Sequence, residues 1–300
     1  MSRPARGKAR VKDDLGTAIW FMLPNILGFL LFTLIPVIVS LVMSFYDWPL
    51  SGERTFVGLQ NFAKLLTGDV LFAKVARNTL YYVCFYVIFN VLVALGLAVW
   101  LSNCRHLTSL FRSVFFLPQM IMVVSSTMIF KMLLQPDYGL VNTVLGWLGI
   151  PGPNWLGSSK TALNAVIFIS IWQGFGYNMI IFISGLLGVP QHLKEAARID
   201  GCGAVRTFIK VTLPMMSPSI FFAVVMTIIS SFQVFDQTFV TTQGGPANAT
   251  NTVVLYLYNN AFMYNRLGYA SAIAWLLFAV ISVITIVQMA LQRSWVTYDA

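Results

Sequence analysis

Residues 195–214, EAARIDGCGAVRTFIKVTLP, gather the side chains best suited to polar chemistry. With Lys194 just ahead of it, the stretch carries Glu195, Arg198, Asp200, Arg206 and Lys210 between two runs apolar enough to cross a bilayer. A charge at the centre of hydrocarbon costs roughly 2.5–3.5 kcal/mol on insertion scales, so this stretch faces water. Glu195 and Arg198 are three apart and share one helix face. Ala196 and Ala197 are small enough for a neighbouring protein to approach the backbone, and Gly201 and Gly203 stop or bend the helix. On the residues alone, a docking helix for a partner and a plain amphipathic connector fit equally well.

A second group consists of polar side chains inside apolar runs, which lipid-facing positions reject. One run holds Ser170, Trp172, Gln173, Gly174, Gly176, Tyr177 and Asn178; another holds Thr227, Ser230, Ser231 and Gln233; Asn90 and Gln119 add donors. Gly174 and Gly176 are expected to interrupt their helix, as in helices that line a cavity. The same groups also serve as glue between spans, at about 0.6–2 kcal/mol each. Asp236 lies near the outer end of its run, where a charge costs less. It is either an interfacial residue bonded to its neighbours or part of the mouth of a solute path. Amides, hydroxyls and aromatic faces suit an uncharged, hydroxylated solute. A phosphorylated solute favours Arg or Lys in the path, and none sits mid-run.

Several chemistries find no support. The chain has no GxxxxGK[ST] phosphate loop, G-x-S-x-G elbow or HExxH, so neither enzyme activity nor ATP binding through a phosphate loop is expected of it. Cys84, Cys104 and Cys202 form no paired motif, and His106 and His192 have no partner at metal-ligand spacing. No charged relay crosses the apolar runs, which places the energy source outside this chain.

The elements that position these groups follow from composition. Of 300 residues, 58% are hydrophobic and 10% charged, and the mean hydropathy is +0.77. A soluble fold cannot hide that much apolar surface, so the expected class is an all-α polytopic membrane protein. Runs near 17–45, 79–101, 111–134, 162–187, 217–239 and 269–291 each reach the roughly 20 residues of a spanning helix. The first far exceeds a 7–15-residue signal core and is retained as a span. Pro24 and Pro36 are tolerated within it.

Six spans put both termini on one side. Twelve basic residues then fall on the side of the termini and the Glu195 loop, against seven in the longer segments opposite. The positive-inside rule makes the crowded side cytoplasmic, and the net charge of +9 reports that orientation. The expected organisation is a cytoplasmic tail over 1–14, a membrane domain over 15–292 with its cytoplasmic loop at 190–214, and a short cytoplasmic tail over 293–300. Outside, FVGLQNF at 56–62 reads as a short amphipathic helix, and Trp147 and Trp155 suit the interface.

The spacing Glu195-Ala196-Ala197, three residues, Gly201, nine residues, Val211, one residue, Leu213-Pro214 resembles the EAA loop of binding-protein-dependent ABC importer permeases. Val211 stands where Ile is usual. FVGLQNF at 56–62, RNT at 77–79, FFLPQ at 115–119, GGP at 244–246 and GYASA at 268–272 resemble the carbohydrate-importer branch, in its MalF-like or UgpA-like half. Together these patches cover about residues 17–298.

The resemblance implies a type I, MetI-like permease fold carrying a sugar or oligosaccharide, with glycerol 3-phosphate as the alternative solute. It implies a second permease subunit, two ATPase subunits holding ATP and Mg, and an extracellular or periplasmic solute-binding protein, with a bacterial inner-membrane location. Glu195, Ala196, Ala197, Arg198, Asp200, Gly201, Leu213 and Pro214 would insert into an ATPase cleft. Gln119, Gln173, Gly174, Tyr177, Thr227 and Ser231 match positions that contact sugar in the maltose-importer permease, and Gln233 and Asp236 extend that path. Gln173 replaces an apolar residue, Gln119 a tyrosine and Ser231 an asparagine, so the solute need not be maltose. An ion-coupled secondary carrier and a non-transporting scaffold or receptor are the readings of other classes.

Overall fold

The computed structural model describes residues 8–104 and 108–296, with side chains from residue 16 onward. Arg105, His106 and the outermost residues of both expected tails lie outside the described residues. The first helix, α1 (Lys8–Phe29), begins inside the charged segment expected as a tail. It continues through one widened turn, Leu30–Leu34, into α2 (Ile35–Ser44). Pro36 accounts for the widening, because it offers no N–H to the carbonyl four residues earlier.

A two-stranded hairpin follows, β1 (Tyr46–Asp47) with β2 (Thr55–Phe56), pairing Tyr46 with Phe56. The amphipathic helix expected over residues 56–62 is cut short. Phe56 belongs to β2, Gly58 takes φ +55°, and α3 (Gln60–Ala63) starts only afterwards. Asn61 then pins the hairpin by donating to the carbonyls of Ser44 (2.9 Å) and Tyr46 (3.0 Å).

The second span, α4 (Val70–Asn103), is capped by Asp69, whose Oδ1 accepts the Phe72 N–H at 2.9 Å. The third is not one helix. α5 (Thr108–Met120) and α6 (Val123–Leu133) meet at 94°, where Pro118 weakens the ladder and Met122 turns extended. After α7 (Leu140–Trp147), α8 (Ala162–Gly188) runs unbroken through Gly174 and Gly176, contrary to the expected interruption.

The two glycines make room instead. A Cβ at Gly176 would lie 2.6 Å from the Phe115 carbonyl oxygen, so only glycine lets α5 cross here. At Gly174 the same space is held by the Tyr86 hydroxyl and the Asn90 amide.

The water-facing stretch folds as α9 (Gln191–Ile199) and α10 (Ala204–Thr207), then a widened turn, Phe208–Thr212, and α11 (Leu213–Met215). The chain turns by 68° into α12 (Ser217–Phe232) around Met216, between Pro214 and Pro218. α12 stops at Phe232 and does not reach 239 as expected; α13 (Asp236–Thr242) is a separate helix. The Ser230 and Ser231 hydroxyls bond back to the carbonyls of Thr227 and Ile228, offering the last turn an alternative to continuing. α14 (Val253–Tyr258) and α15 (Leu267–Gln292) complete the chain.

Among the described residues four helices are long and apolar enough to cross a membrane, and six spans result if each bent pair counts as one. α4 and α8 lie side by side in the same direction. Tyr81 meets Asn164 near one end, and Asn90 meets Asn178 further along. Ala94, Ala98, Met179, Phe182 and Met216 pack the half of this pair nearest the loop. At the far end, Val75, Tyr256, Tyr269 and Ile273 join α4, α14 and α15.

Candidate functional site

Two helix breaks face each other across α8. At the first, between α5 and α6, the Ile121 carbonyl has lost its helical donor, and Gln173 Nε2 supplies one at 3.0 Å. Ser126 Oγ donates in turn to Gln173 Oε1 at 2.7 Å. At the second, between α12 and α13, Thr252 Oγ1 donates to the Val234 carbonyl at 3.1 Å. Buried backbone polar groups demand such partners, and both arrive from other elements.

A cavity of about 270 Å³ lies between the two breaks. Gln119, Gln173, Gly174, Ser231, Gln233 and Asp236, six of the eight expected path residues, line it. Ser170, among the polar groups marked out in its apolar run, also lines it, and Tyr82, Tyr86 and Phe235, which were not singled out from the sequence, complete much of the wall. Of the two aromatic hydroxyls, Tyr86 has a legible cue, lying one helical turn before Asn90. The lining includes a single ionisable carboxylate, Asp236, and no Lys, Arg or His. Asp236 opens α13, where a negative charge matches the helix dipole.

The other two expected residues sit elsewhere. Thr227 is buried and accepts from Asn178 Nδ2 at 2.8 Å, while the same amide donates to Asn90 Oδ1 at 2.6 Å. This is a tie between α4, α8 and α12, the interhelical role of such groups. Tyr177 is 43% exposed, one turn beyond Gln173 on the same side of α8 and nearer the charged loop, outside the cavity lining.

The charged loop is built around a helix stop. Gly201 has φ +79°; its N–H reaches the Arg198 carbonyl (3.0 Å), and the Cys202 N–H reaches the Ala197 carbonyl (2.9 Å). These two bonds make a Schellman closure, which needs a residue in the left-handed region. Ala197 is buried against its own chain, so only Ala196 of the pair is open to a neighbour. Glu195 is exposed and accepts from Gln191 Nε2 at 3.3 Å. Arg198, Asp200 and Pro214 are exposed, Leu213 is half-buried, and the apolar Ile199 and Val205 stand 86% and 73% exposed.

One polar cluster escaped sequence reasoning. Asp69 Oδ2 accepts the hydroxyls of Tyr256 and Tyr269, both at 2.6 Å. Burial pushes the Asp69 carboxyl up, but bonds from the two tyrosines and from the Phe72 and Leu71 backbone outweigh it, and its pKa ends below the ordinary value. Burial, together with the bond to Asp69, raises Tyr256 to about 12.

Comparison with known proteins fits this architecture. The chain is 36% identical over 292 residues to the "Probable ABC transporter permease protein YesP" of Bacillus subtilis, covering 96% of this chain and 94% of that one. It is 33% identical over 278 residues to the "Arabinooligosaccharides transport system permease protein AraP" of the same organism, covering 92% and 88%. Its fold superimposes with a TM-score of 0.84 on a chain of a bacterial alginate ABC transporter, solved with a periplasmic protein bound to alginate pentasaccharide. The identity there is 22%, and 97% of this chain and 98% of that one are covered. Residues 70–297 match the family described as "Binding-protein-dependent transport system inner membrane component", and the chain belongs to that family of transport permeases.

Proposed function

We propose that this chain is the permease subunit of an ATP-driven importer for an uncharged sugar or oligosaccharide, delivered by an extracellular or periplasmic binding protein. The observation that carries this reading is the cavity between two broken spans, lined by amides, hydroxyls and aromatic rings with Asp236 as its one charged group. Discontinuous helices at a midplane cavity are the usual setting of a transporter's solute site. The relative AraP is named for arabinooligosaccharides, which supports the same solute class. Gln119, Gly174, Ser231, Gln233 and Asp236 line the path. Gln173 shapes it by holding the α5–α6 break, Thr227 acts as a tie, and Tyr177 continues the same side of α8 one turn nearer the loop. A phosphorylated solute such as glycerol 3-phosphate is disfavoured, because the one charged group on the wall is itself negative.

The path is one half of a pore. A second permease supplies the other half, and two ATPase subunits hold ATP and Mg. In this reading the Glu195 loop docks into an ATPase. Exposed Ala196, Ile199 and Val205 offer apolar contact, and Glu195, Arg198 and Asp200 offer charge. Gly201, Leu213 and Pro214 shape the segment that carries ATPase closure into α12. Both termini and this loop then face the cytoplasm, with the chain crossing the inner membrane several times.

Purification of the tagged chain in mild detergent, followed by reconstitution with its partners, tests the proposal. Two nucleotide-hydrolysing subunits per copy of this chain and ATP-dependent uptake of a neutral sugar are expected. An intact complex without such a chain, or one that takes up glycerol 3-phosphate and no sugar, overturns it.

A further inference from the structure

At the end of the α4–α8 pair away from the Glu195 loop, a cavity of about 380 Å³ collects the three cations Lys74, Arg77 and Lys160. Its lining carries no Asp or Glu. Lys74 spends one donor on the Ala247 carbonyl at 2.6 Å, and the Asn78 amide is spent on the carbonyls of Asn248 and Asn251. The remaining donors of the three cations are unassigned, and Arg77 and Lys160 are exposed.

The depth of this pocket is fixed by helix length. α4 has 34 residues, about 50 Å at 1.5 Å per residue, against a hydrocarbon core of about 30 Å. Its apolar run begins at Thr79, so Lys74 and Arg77 stand at headgroup level, and Lys160 stands just ahead of α8. Below them the Tyr81 hydroxyl donates to Asn164 Oδ1 at 2.9 Å. Tyr81 packs on Phe85 with ring centroids 4.4 Å apart. Phe168 lies four residues after Asn164, on the same face of α8. Tyr81, Phe85 and Phe168 are 38%, 40% and 57% exposed. A cationic pocket thus opens onto an apolar, aromatic surface running into the membrane.

We propose that Lys74, Arg77 and Lys160 bind the phosphate of an anionic phospholipid, whose acyl chains lie over Tyr81, Phe85 and Phe168. The apolar surface selects a lipid over a soluble anion or an acidic protein loop, since neither would fill it. This site is separate from the solute cavity and stands whether or not the solute is a sugar.

The test is native mass spectrometry of the chain in its complex, incorporated in nanodiscs of dioleoylphosphatidylcholine with an equal share of dioleoylphosphatidylglycerol. Retention of phosphatidylglycerol over phosphatidylcholine is expected. Each cation lining the pocket is worth about fivefold in affinity, so R77Q/K160Q should lower that preference by about 25-fold. The double variant keeps the Lys74–Ala247 bond, which guards against misfolding. R54Q, which removes a cation elsewhere on the same end, should leave the preference unchanged. Equal retention of the two lipids by the wild type, an unchanged preference in R77Q/K160Q, or full competition by inorganic phosphate overturns the proposal.

Discussion

Gln173 on α8 donates to the carbonyl of Ile121 at 3.0 Å, across the break between α5 and α6. With Ser126 donating back to its oxygen at 2.7 Å, the Gln173 amide replaces the helical bond that the 94° turn removes. Gln173→Leu leaves the half-buried Ile121 carbonyl without that donor, while Ser126 keeps its bond to the Val123 carbonyl, at a cost of about 1–3 kcal/mol. A lower unfolding temperature of the solubilised protein is expected, together with loss of uptake. Thr227→Val, which disturbs a different tie, should leave this break intact. Gln173→Leu with wild-type thermal stability and altered solute selectivity alone would show that the amide serves the solute and not the fold.

The Gly201 closure predicts a graded series in the loop. At φ +79° a Cβ costs roughly 1–2 kcal/mol, and asparagine bears this conformation better than other residues. Gly201→Val should therefore uncouple ATP hydrolysis from uptake in the assembled importer, Gly201→Asn should stay near wild type, and Glu195→Ala should uncouple without unfolding. The measurement is the ratio of solute imported to ATP hydrolysed. Equal ratios across the three variants and the wild type sink the coupling role.

Ala197 extends that argument by separating two neighbours that look alike in sequence. Ala197 is buried and Ala196 exposed. A bulky residue at 197 overpacks the loop by about 1–3 kcal/mol, whereas one at 196 leaves the isolated permease unchanged and blocks only the docked partner. Thermal unfolding of the permease alone, compared with ATPase co-purification, distinguishes the two. Destabilisation by both variants alike would contradict the packing.

The pH dependence of stability should carry the mark of Asp69. Its folded pKa lies below the ordinary value of about 3.9. The stabilisation is therefore complete above that value and fades as pH falls through the lower, folded one. Tyr256 has the opposite sign. With its pKa raised to about 12, its contribution is complete below about 10 and is lost as pH rises through 12. Asp69→Asn should flatten the acid limb of an unfolding-temperature profile. An unchanged acid slope in that variant would show that another carboxylate sets it.

Much of this molecule is legible from local residue type. The apolar runs locate the spans, Gly201 and Gly203 locate the end of α9, and Pro214 and Pro218 bracket the turn into α12. What stays hidden depends on partners far away in the chain. The break after Met120 is stable because Gln173 lies opposite it, and the break after Phe232 because Thr252 does. Each freed carbonyl is invisible in its own segment, so an apolar run with a broken helix reads as a continuous one. Asp69 binds hydroxyls 187 and 200 residues further along, beyond any motif. Gly174 and Gly176 read as interruptions because sequence shows a missing side chain, not the neighbour that occupies its place.

That neighbour at Gly174 provides a direct test of how tightly the cavity wall is packed. A methyl group there would collide with the Tyr86 hydroxyl and lie 3.1 Å from the Asn90 amide nitrogen. Because Tyr86 also lines the cavity, relief of the collision drives its ring into the solute space. Gly174→Ala should therefore lower stability by about 1–3 kcal/mol and slow uptake. Tyr86→Phe removes the colliding oxygen but leaves the Asn90 contact. The pair Gly174→Ala with Tyr86→Phe should then recover part of the stability, giving a favourable coupling in a double-mutant cycle. Strictly additive losses would mean that the ring and the glycine are not in contact, and the cavity wall would need to be redrawn.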